Sequence, residues 1–431
     1  MQQQTFASII TIGDELLIGQ VIDTNSAWMA RELNKTGVWV KRRVAVGDSR
    51  NDIWQALDEE SKHADIILIT GGLGPTADDI TKPLLCEYFG GKLITDEKVL
   101  THIKYLFEKV FKRSPPILDR NLKQAEVPDV CTVLHNERGT APGMWFEKEG
   151  KVYVSMPGVP YEMKGLMTEQ ALPRLKVHFK MSAIVSRTLL TFGIGESFLA
   201  ERIKDFEEAL PANIKLAYLP NYGMVRLRLT GTADREAVIA PQVQAQFDTL
   251  KKLLPDVMVT DEDEPMEKVI GKLLLARKKT MATAESCTGG YIAHRITVNA
   301  GSSAYFKGSI VSYANEVKET ILEVPHEYFI TVGAVSEEVV RGMVKGILND
   351  IKADYAIAVS GIMGPGGATP EKPVGMVWVA VGNKEKITTQ LFNFRFDRER
   401  NIEITAMNAL NLLRKFIIEE GEKAEGVGPK V

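Results

Sequence analysis

Apolar runs cut by glycine turns recur through the first 170 residues. Phe6 to Ile12 reads as a strand, Asn25 to Leu33 as a helix stopped at Gly37, and Val38 to Val46 as a second strand. Ile53 to Lys62 has helical spacing, and Ala64 to Thr70 is an unbroken apolar strand of the kind buried between two helix layers. Strands and helices alternating at this spacing predict a mostly parallel α/β sheet.

The pattern then changes. Leu172-Pro173 and Lys176 to Ser182 read as a join. Beyond it come a strand (Ile184 to Phe192), a helix (Gly195 to Glu208), a hairpin turned at Asn221-Tyr222-Gly223 and a long helix (Asp234 to Leu253), the order of a small α+β module. Thr260 to Pro265 is an acidic, proline-ended linker. After it, Met266 to Ala276 is an amphipathic helix, and short buried strands again alternate with helices up to a closing helix, Arg398 to Ile417. The expected fold class is therefore α/β: two three-layer α/β domains, residues 1–172 and 266–420, joined by an α+β module at 173–258 and a linker at 259–265, with a frayed tail at 421–431.

At 431 residues the chain is too long for one ordinary core, which agrees with this division. A net charge of −3 argues against a broad nucleic-acid surface. Three scattered cysteines (Cys86, Cys131, Cys287) and six histidines give neither a disulfide framework nor zinc spacing. No apolar run has membrane-spanning length and no leader pattern opens the chain, so the expectation is a cytoplasmic protein without membrane contact.

Two stretches carry candidate chemistry. The first is Thr283-Ala284-Glu285-Ser286-Cys287-Thr288-Gly289-Gly290, a predicted strand-to-helix turn before Tyr291, Ile292, Arg295 and Ile296. Such a turn exposes a hydroxyl or thiol and aims backbone N–H groups at one point, which suits attack on a carbonyl. Taken alone, the stretch favours a helix N-cap, where Ser and Thr are preferred for local hydrogen bonding. The second is Gly71-Gly72-Leu73-Gly74-Pro75-Thr76-Ala77-Asp78-Asp79-Ile80-Thr81, at the end of an apolar strand. Glycines there admit a phosphate, and the two acids, with Asp14 and Glu15 after the first strand, can hold a divalent cation. A tight turn with solvated acids is the simpler alternative.

The first domain resembles the molybdopterin-binding domain family, in particular its CinA branch. The resemblance runs through IGDELLIGQVIDTN (Ile12 to Asn25), GGLGPTADDIT (Gly71 to Thr81), NERGTAPGM (Asn136 to Met144) and MPGVPYEM (Met156 to Met163). It implies an ADP-ribose pyrophosphatase dependent on a divalent metal such as Mg, Co or Mn. Asp14, Glu15, Asp78 and Asp79 would hold the metal, and Gly13, Asp23, Asn25, Gly71, Gly72, Gly74, Thr76, Thr81 and Asn136 would contact the nucleotide. In the same family the middle module is described as similar to a KH domain. Phe192-Gly193-Ile194-Gly195 lacks the GXXG loop of nucleic-acid readers, so a structural or dimerisation role is expected.

The last domain resembles the C-terminal CinA domain, the nicotinamide mononucleotide deamidase family. The matches are AESCTGG (Ala284 to Gly290), AGSSAYF (Ala300 to Phe306), VSYANEVK (Val311 to Lys318), GAVSE (Gly333 to Glu337), SGIMGPGG (Ser360 to Gly367), KPVGMVW (Lys372 to Trp378) and Asp397-Arg398. The resemblance implies hydrolysis of the mononucleotide's carboxamide to nicotinic acid mononucleotide and ammonia, without a cofactor. Ser286 would be the nucleophile and Lys318 and Tyr313 its partners, with Cys287 as rival nucleophile. Cys287, Thr288, Gly289, Gly290, Asn315, Gly361, Gly364 and Arg398 would bind substrate. A lysine deprotonates serine only when neutral, so burial or a neighbouring cation must lower its pKa. Arg398 is either that cation or the phosphate ligand. The chain departs from the family pattern at Arg395-Phe396, where many members have Ser-Gly, and at Met363, where a small residue is usual. The expected whole is a bifunctional, homodimeric nucleotide-salvage hydrolase. The alternative is a non-catalytic pterin- or nucleotide-binding protein of competence or damage responses that acts through a partner.

Overall fold

The structure is a computed structural model that describes residues 4–76, 79–112, 116–221 and 223–424, the side chains of 422–424 aside. The chain divides into two compact units, Met1–Ser186 with Thr230–Val243, and Arg187–Leu229 with Gln244–Val431.

In the first unit, β1 (Phe6–Ile12), β2 (Trp39–Val46), β3 (Ile66–Thr70), β6 (Thr132–Leu134), β7 (Gly143–Lys148) and β8 (Lys151–Met156) form one sheet, ordered β2-β1-β3-β8-β7-β6. β4 (Leu93–Thr95) and β5 (Glu126–Pro128) make a separate antiparallel ribbon. β2, β1, β3 and β8 run parallel, whereas the β6-β7-β8 end is antiparallel. The expected mostly parallel sheet is thus parallel on one side only. Successive residues of one strand face different cores. Ala7, Ile9, Ile66 and Leu68 pack on one face, and Ile10, Ile12, Ile67 and Ile69 on the other. Burial on both faces is why these strands read as unbroken apolar runs. Helix Leu172–His178 continues past the division expected at residue 172.

In the middle stretch, β9 (Ala183–Phe192), β10 (Ile214–Asn221), β11 (Met224–Ala233) and β12 (Met258–Thr260) form a four-stranded sheet ordered β10-β11-β9-β12. The single helix expected from Gly195 to Glu208 is two, Glu196–Arg202 and Lys204–Glu208, broken at Ile203.

β13 (Met281–Glu285), β14 (Phe306–Val311), β15 (Tyr355–Gly361), β16 (Met376–Gly382) and β17 (Ile387–Asn393) form a five-stranded sheet ordered β14-β13-β15-β16-β17. β14, β13 and β15 are parallel and β16 and β17 antiparallel. Alanines of β13 and β15 (Ala282, Ala284, Ala356, Ala358) face helix Glu337–Ile351 through Val340, Met343, Val344 and Ile347. Met281, Ile357 and Val359 face the other core, with Leu274, Leu410 and Leu413. The closing helix, Arg398–Ala424, is longer than expected. Glu420, the last residue before the expected tail, is tied down by the Asn383 side-chain amide at 2.6 Å and by the Tyr355 hydroxyl.

Candidate functional site

β13, the middle of the three parallel strands, is flanked by β14 and β15, so the loops leaving all three open at the same edge. Open α/β sheets bind ligands at that edge. The β13 loop brings Ser286 and Cys287. The β14 loop brings Tyr313, Asn315 and Lys318. The β15 loop brings Gly361 and Gly364, and Arg398 enters from the start of the closing helix. All eight line one cleft of about 270 Å³.

The Ser286 backbone N–H donates to Val359 O at 3.1 Å, extending the sheet by one residue. Its hydroxyl has no hydrogen-bond partner among the described residues. Neither Ser286 nor Thr288 caps the following helix, Tyr291–Thr297, whose N-cap is Gly290. The capping acceptor is Glu285, the fully buried last residue of β13. Its carboxylate accepts from the N–H groups of Ile292 at 2.9 Å and Ala293 at 2.8 Å, and from the hydroxyls of Thr288 at 2.7 Å and Thr283 at 3.2 Å. An anion at a helix N-terminus satisfies orphan donors and meets the positive end of the dipole. Glu285 was not expected as a site residue. Its signal was an acid closing an apolar strand seven residues before the first donor amide.

This arrangement engages three residues expected at the substrate. The Thr288 hydroxyl donates to Glu285 and keeps only its acceptor lone pairs. Gly289 N–H donates to Ser286 O at 3.1 Å, closing the turn. Thr288, Gly289 and Gly290 line a different cleft, with Tyr291, His294 and Glu403. Only Ser286 and Cys287 of the turn reach the cleft that holds Lys318.

Lys318 is 1% exposed. Its ammonium donates to Ser312 O at 2.8 Å and Tyr313 O at 3.3 Å, and it is not hydrogen-bonded to the Ser286 hydroxyl. Burial pushes its pKa below the ordinary lysine value. The cause is desolvation, so the expected alternative of a neighbouring cation is not needed. Arg398 instead donates to Gly364 O at 2.7 Å and to the Tyr313 hydroxyl at 2.8 Å, joining the glycine loop to the β14 loop. Cys287 is 6% exposed, and burial, reinforced by Glu285, pushes its thiol up to about 12.

Two further residues shape the cleft. The Ser360 hydroxyl donates to Ala334 O at 2.7 Å. Fully buried Asn401 donates to Met363 O at 3.1 Å and Phe396 O at 2.9 Å, tying the glycine loop to the closing helix. Gly364 sits at φ +86°, and a Cβ there would lie 2.7 Å from Val374 Cγ1, so the loop needs glycine. Met363, bulkier than the family pattern, turns its side chain into the core.

In the first unit, the loops after β1, β3 and β8 also leave neighbouring parallel strands. Several residues expected at a nucleotide or metal are engaged otherwise. Asp23 is the N-cap of helix Thr24–Lys35, accepting from Ser26 N at 2.9 Å. Asp79 accepts from Gly74 N at 2.8 Å, Thr76 N at 2.9 Å and the Thr76 hydroxyl, so these three groups satisfy one another inside the loop. Asp14 and Asp48 exchange side chain-to-backbone hydrogen bonds. The Glu15 carboxylate lies against Gly13, where a Cβ would be 2.4 Å from it. Buried Asn136 is spent on Ala141 O, Glu162 and Arg138 N. Asp78 lies outside the described residues. Among the described residues no three His, Cys, Asp or Glu side chains stand together as a metal-binding group.

What does favour a ligand is Thr81. It opens helix Thr81–Tyr88, is fully buried, and its hydroxyl has no partner among the described residues. Gly72, at φ +62°, packs against it: a Cβ would lie 2.1 Å from Thr81 Oγ1. Asn25 donates to Gly158 O at 2.7 Å, and its own buried Oδ1 has no partner among the described residues. Lys82, which sequence reasoning missed, is buried beside the loop, donates to Gln124 O at 3.0 Å and is lowered by desolvation to about 8. Among the described residues no helix is long and apolar enough to cross a membrane.

Three family descriptions match successive stretches: Probable molybdopterin binding domain over residues 8–177, Damage-inducible protein CinA KH domain over 186–257, and CinA C-terminal domain over 263–417. A CinA-like protein of Cytophaga hutchinsonii is 44% identical over 419 residues, covering 97% of this chain and all of that protein. A CinA-like protein of Flavobacterium psychrophilum is 46% identical over 418 residues, with 97% and 100% covered. A putative competence-damage inducible protein of Caldicellulosiruptor bescii is 38% identical over 413 residues, with 96% and 99% covered.

Proposed function

The chain belongs to the CinA family, and we propose that its last domain is an amidohydrolase that converts nicotinamide mononucleotide to nicotinic acid mononucleotide and ammonia. One observation carries the reading: a buried lysine, its pKa lowered by desolvation, shares a cleft with a serine hydroxyl that has no partner among the described residues.

In this reading the neutral Lys318 amine takes the Ser286 proton as Oγ attacks the carboxamide carbon. The C–N bond then breaks. Ammonia departs with a proton returned from Lys318 or relayed through Tyr313, whose hydroxyl Arg398 orients. Water, deprotonated by the same amine, attacks the acyl ester and releases the acid and the Ser286 hydroxyl. Atoms balance with the chain's own groups and water. The missing Lys318–Ser286 hydrogen bond is the kind that tightens only with substrate in place. Burial pushes the Cys287 thiol up to about 12, so it lacks the lowered pKa that marks a reactive cysteine.

The first domain reads as a nucleotide-phosphate binder, supported by the unpartnered Thr81 hydroxyl against Gly72. ADP-ribose is the expected ligand. The test of the main reading is to incubate the intact chain with nicotinamide mononucleotide and quantify both products. Equal amounts of ammonia and nicotinic acid mononucleotide are expected. A chain that binds the nucleotide and releases neither refutes it.

A further inference from the structure

Ile362 N–H donates to Met376 O at 2.9 Å, and beyond it the glycine loop after β15 loses its backbone partners. Met363 and Gly364 are both buried, yet among the described residues neither N–H donates to anything. Buried N–H groups without a partner are rare in folded chains, and these two belong to residues lining the cleft that holds Ser286 and Lys318. Their carbonyls, by contrast, are both taken. The Asn401 amide donates to Met363 O at 3.1 Å, and Arg398, at the start of the same helix, donates to Gly364 O at 2.7 Å. Asn401 is itself fixed. It also donates to Phe396 O at 2.9 Å, and its Oδ1 accepts from Phe396 N–H at 3.3 Å. It is fully buried and does not line the cleft.

We propose that Asn401 is a positioning residue for the substrate's phosphate, acting through the glycine loop without touching substrate. In a trans peptide the C=O and the N–H that follows it point to opposite edges. The Met363–Gly364 peptide is trans. Holding Met363 O toward the closing helix therefore turns the Gly364 N–H away from that helix, and Gly364 lines the cleft. Two successive free N–H groups beside a glycine at φ +86° are the makings of an anion-binding concavity. The Arg398 guanidinium adds positive charge at the same point. The phosphate is the anionic group of the mononucleotide, and its carboxamide is neutral. The proposal rests on reading this cleft as the amidase site.

Steady-state kinetics of the full-length chain would compare nicotinamide mononucleotide with nicotinamide riboside, which has the same carboxamide and no phosphate. The wild type should prefer the mononucleotide. Asn401→Leu should raise KM for the mononucleotide roughly tenfold, the size of a hydrogen bond to a charged group, with kcat little changed. For the riboside, kcat/KM should stay at the wild-type value, so the preference shrinks by the same factor. A merely structural Asn401 would weaken both substrates together. Equal losses, or an unchanged preference, overturn the proposal. Should unfolding temperature show that Asn401→Leu does not fold, Asn401→Ser, which drops one of the two donors, carries the same comparison. If the wild type hydrolyses neither compound, the amidase reading fails on its own account. Calorimetric binding of the mononucleotide then decides the role of Asn401: tighter binding by the wild type supports it, and no binding, or equal affinity in wild type and variant, overturns it.

Discussion

Lys318 donates its ammonium to Ser312 O at 2.8 Å, although the two residues lie on opposite sides of a short helix start. That hydrogen bond holds the amine inside the cleft at 1% exposure, where desolvation favours the neutral form. A surface lysine would be charged and useless as a base.

The sign of the pH dependence follows. The catalytic amine is neutral only above its pKa, so kcat/KM for nicotinamide mononucleotide should rise with pH through a midpoint below the ordinary lysine value of about 10.4. Lys318→Met should lose about 100- to 10,000-fold in rate and abolish that limb. A pH–rate profile of both proteins checks this, and a flat wild-type profile from neutral to pH 10 would count against it.

Glu285 is predicted to hold the nucleophile turn in place. Glu285→Ala would leave two backbone amides and two hydroxyls without their acceptor inside the protein, costing about 3 kcal/mol or more. Glu285→Gln keeps the shape but turns an acceptor into a donor against a backbone N–H. It should lower kcat with little change in KM. Denaturant unfolding and steady-state kinetics on the two variants distinguish the effects, and unchanged kcat in Glu285→Gln would remove the positioning role.

Asp23 is predicted to act as a cap rather than a nucleotide contact. Asp23→Ala should cost about 1 kcal/mol of stability, and Asp23→Ser should recover most of it. Thermal unfolding with and without ADP-ribose checks this, since a nucleotide contact would show a ligand-dependent difference that serine does not rescue.

These residues show what the chain makes legible. Strands buried on both faces announce themselves as apolar runs, so Ile66–Thr70 and Met281–Glu285 were readable from pattern alone. The turn after Glu285 was readable too, because glycines and hydroxyls cluster where a strand meets a helix. Side-chain direction was not. Lys318 lies on a six-residue helix whose pattern suits a solvated charge, and only packing against the β14 loop buries it. Thr288 looks like a substrate ligand until Glu285 is seen to occupy its hydroxyl. Asp23 and Asp79 had a local signal that pointed inward, since Asp23 with Ser26 and Thr76 with Asp79 are each spaced three apart, the reach of a cap or a tight turn. Resemblance marked these acids as ligands, and hydrogen bonding within the segment claimed them first.

The central claim is that the Ser286 hydroxyl, and not the neighbouring Cys287 thiol, attacks the carboxamide. Ammonia release from nicotinamide mononucleotide by Ser286→Ala and by Cys287→Ala tests it most directly, with folding of both variants verified by unfolding temperature. The account predicts that Ser286→Ala falls to background while Cys287→Ala keeps activity within about tenfold of wild type. An active Ser286→Ala, or a folded but inactive Cys287→Ala, would contradict it.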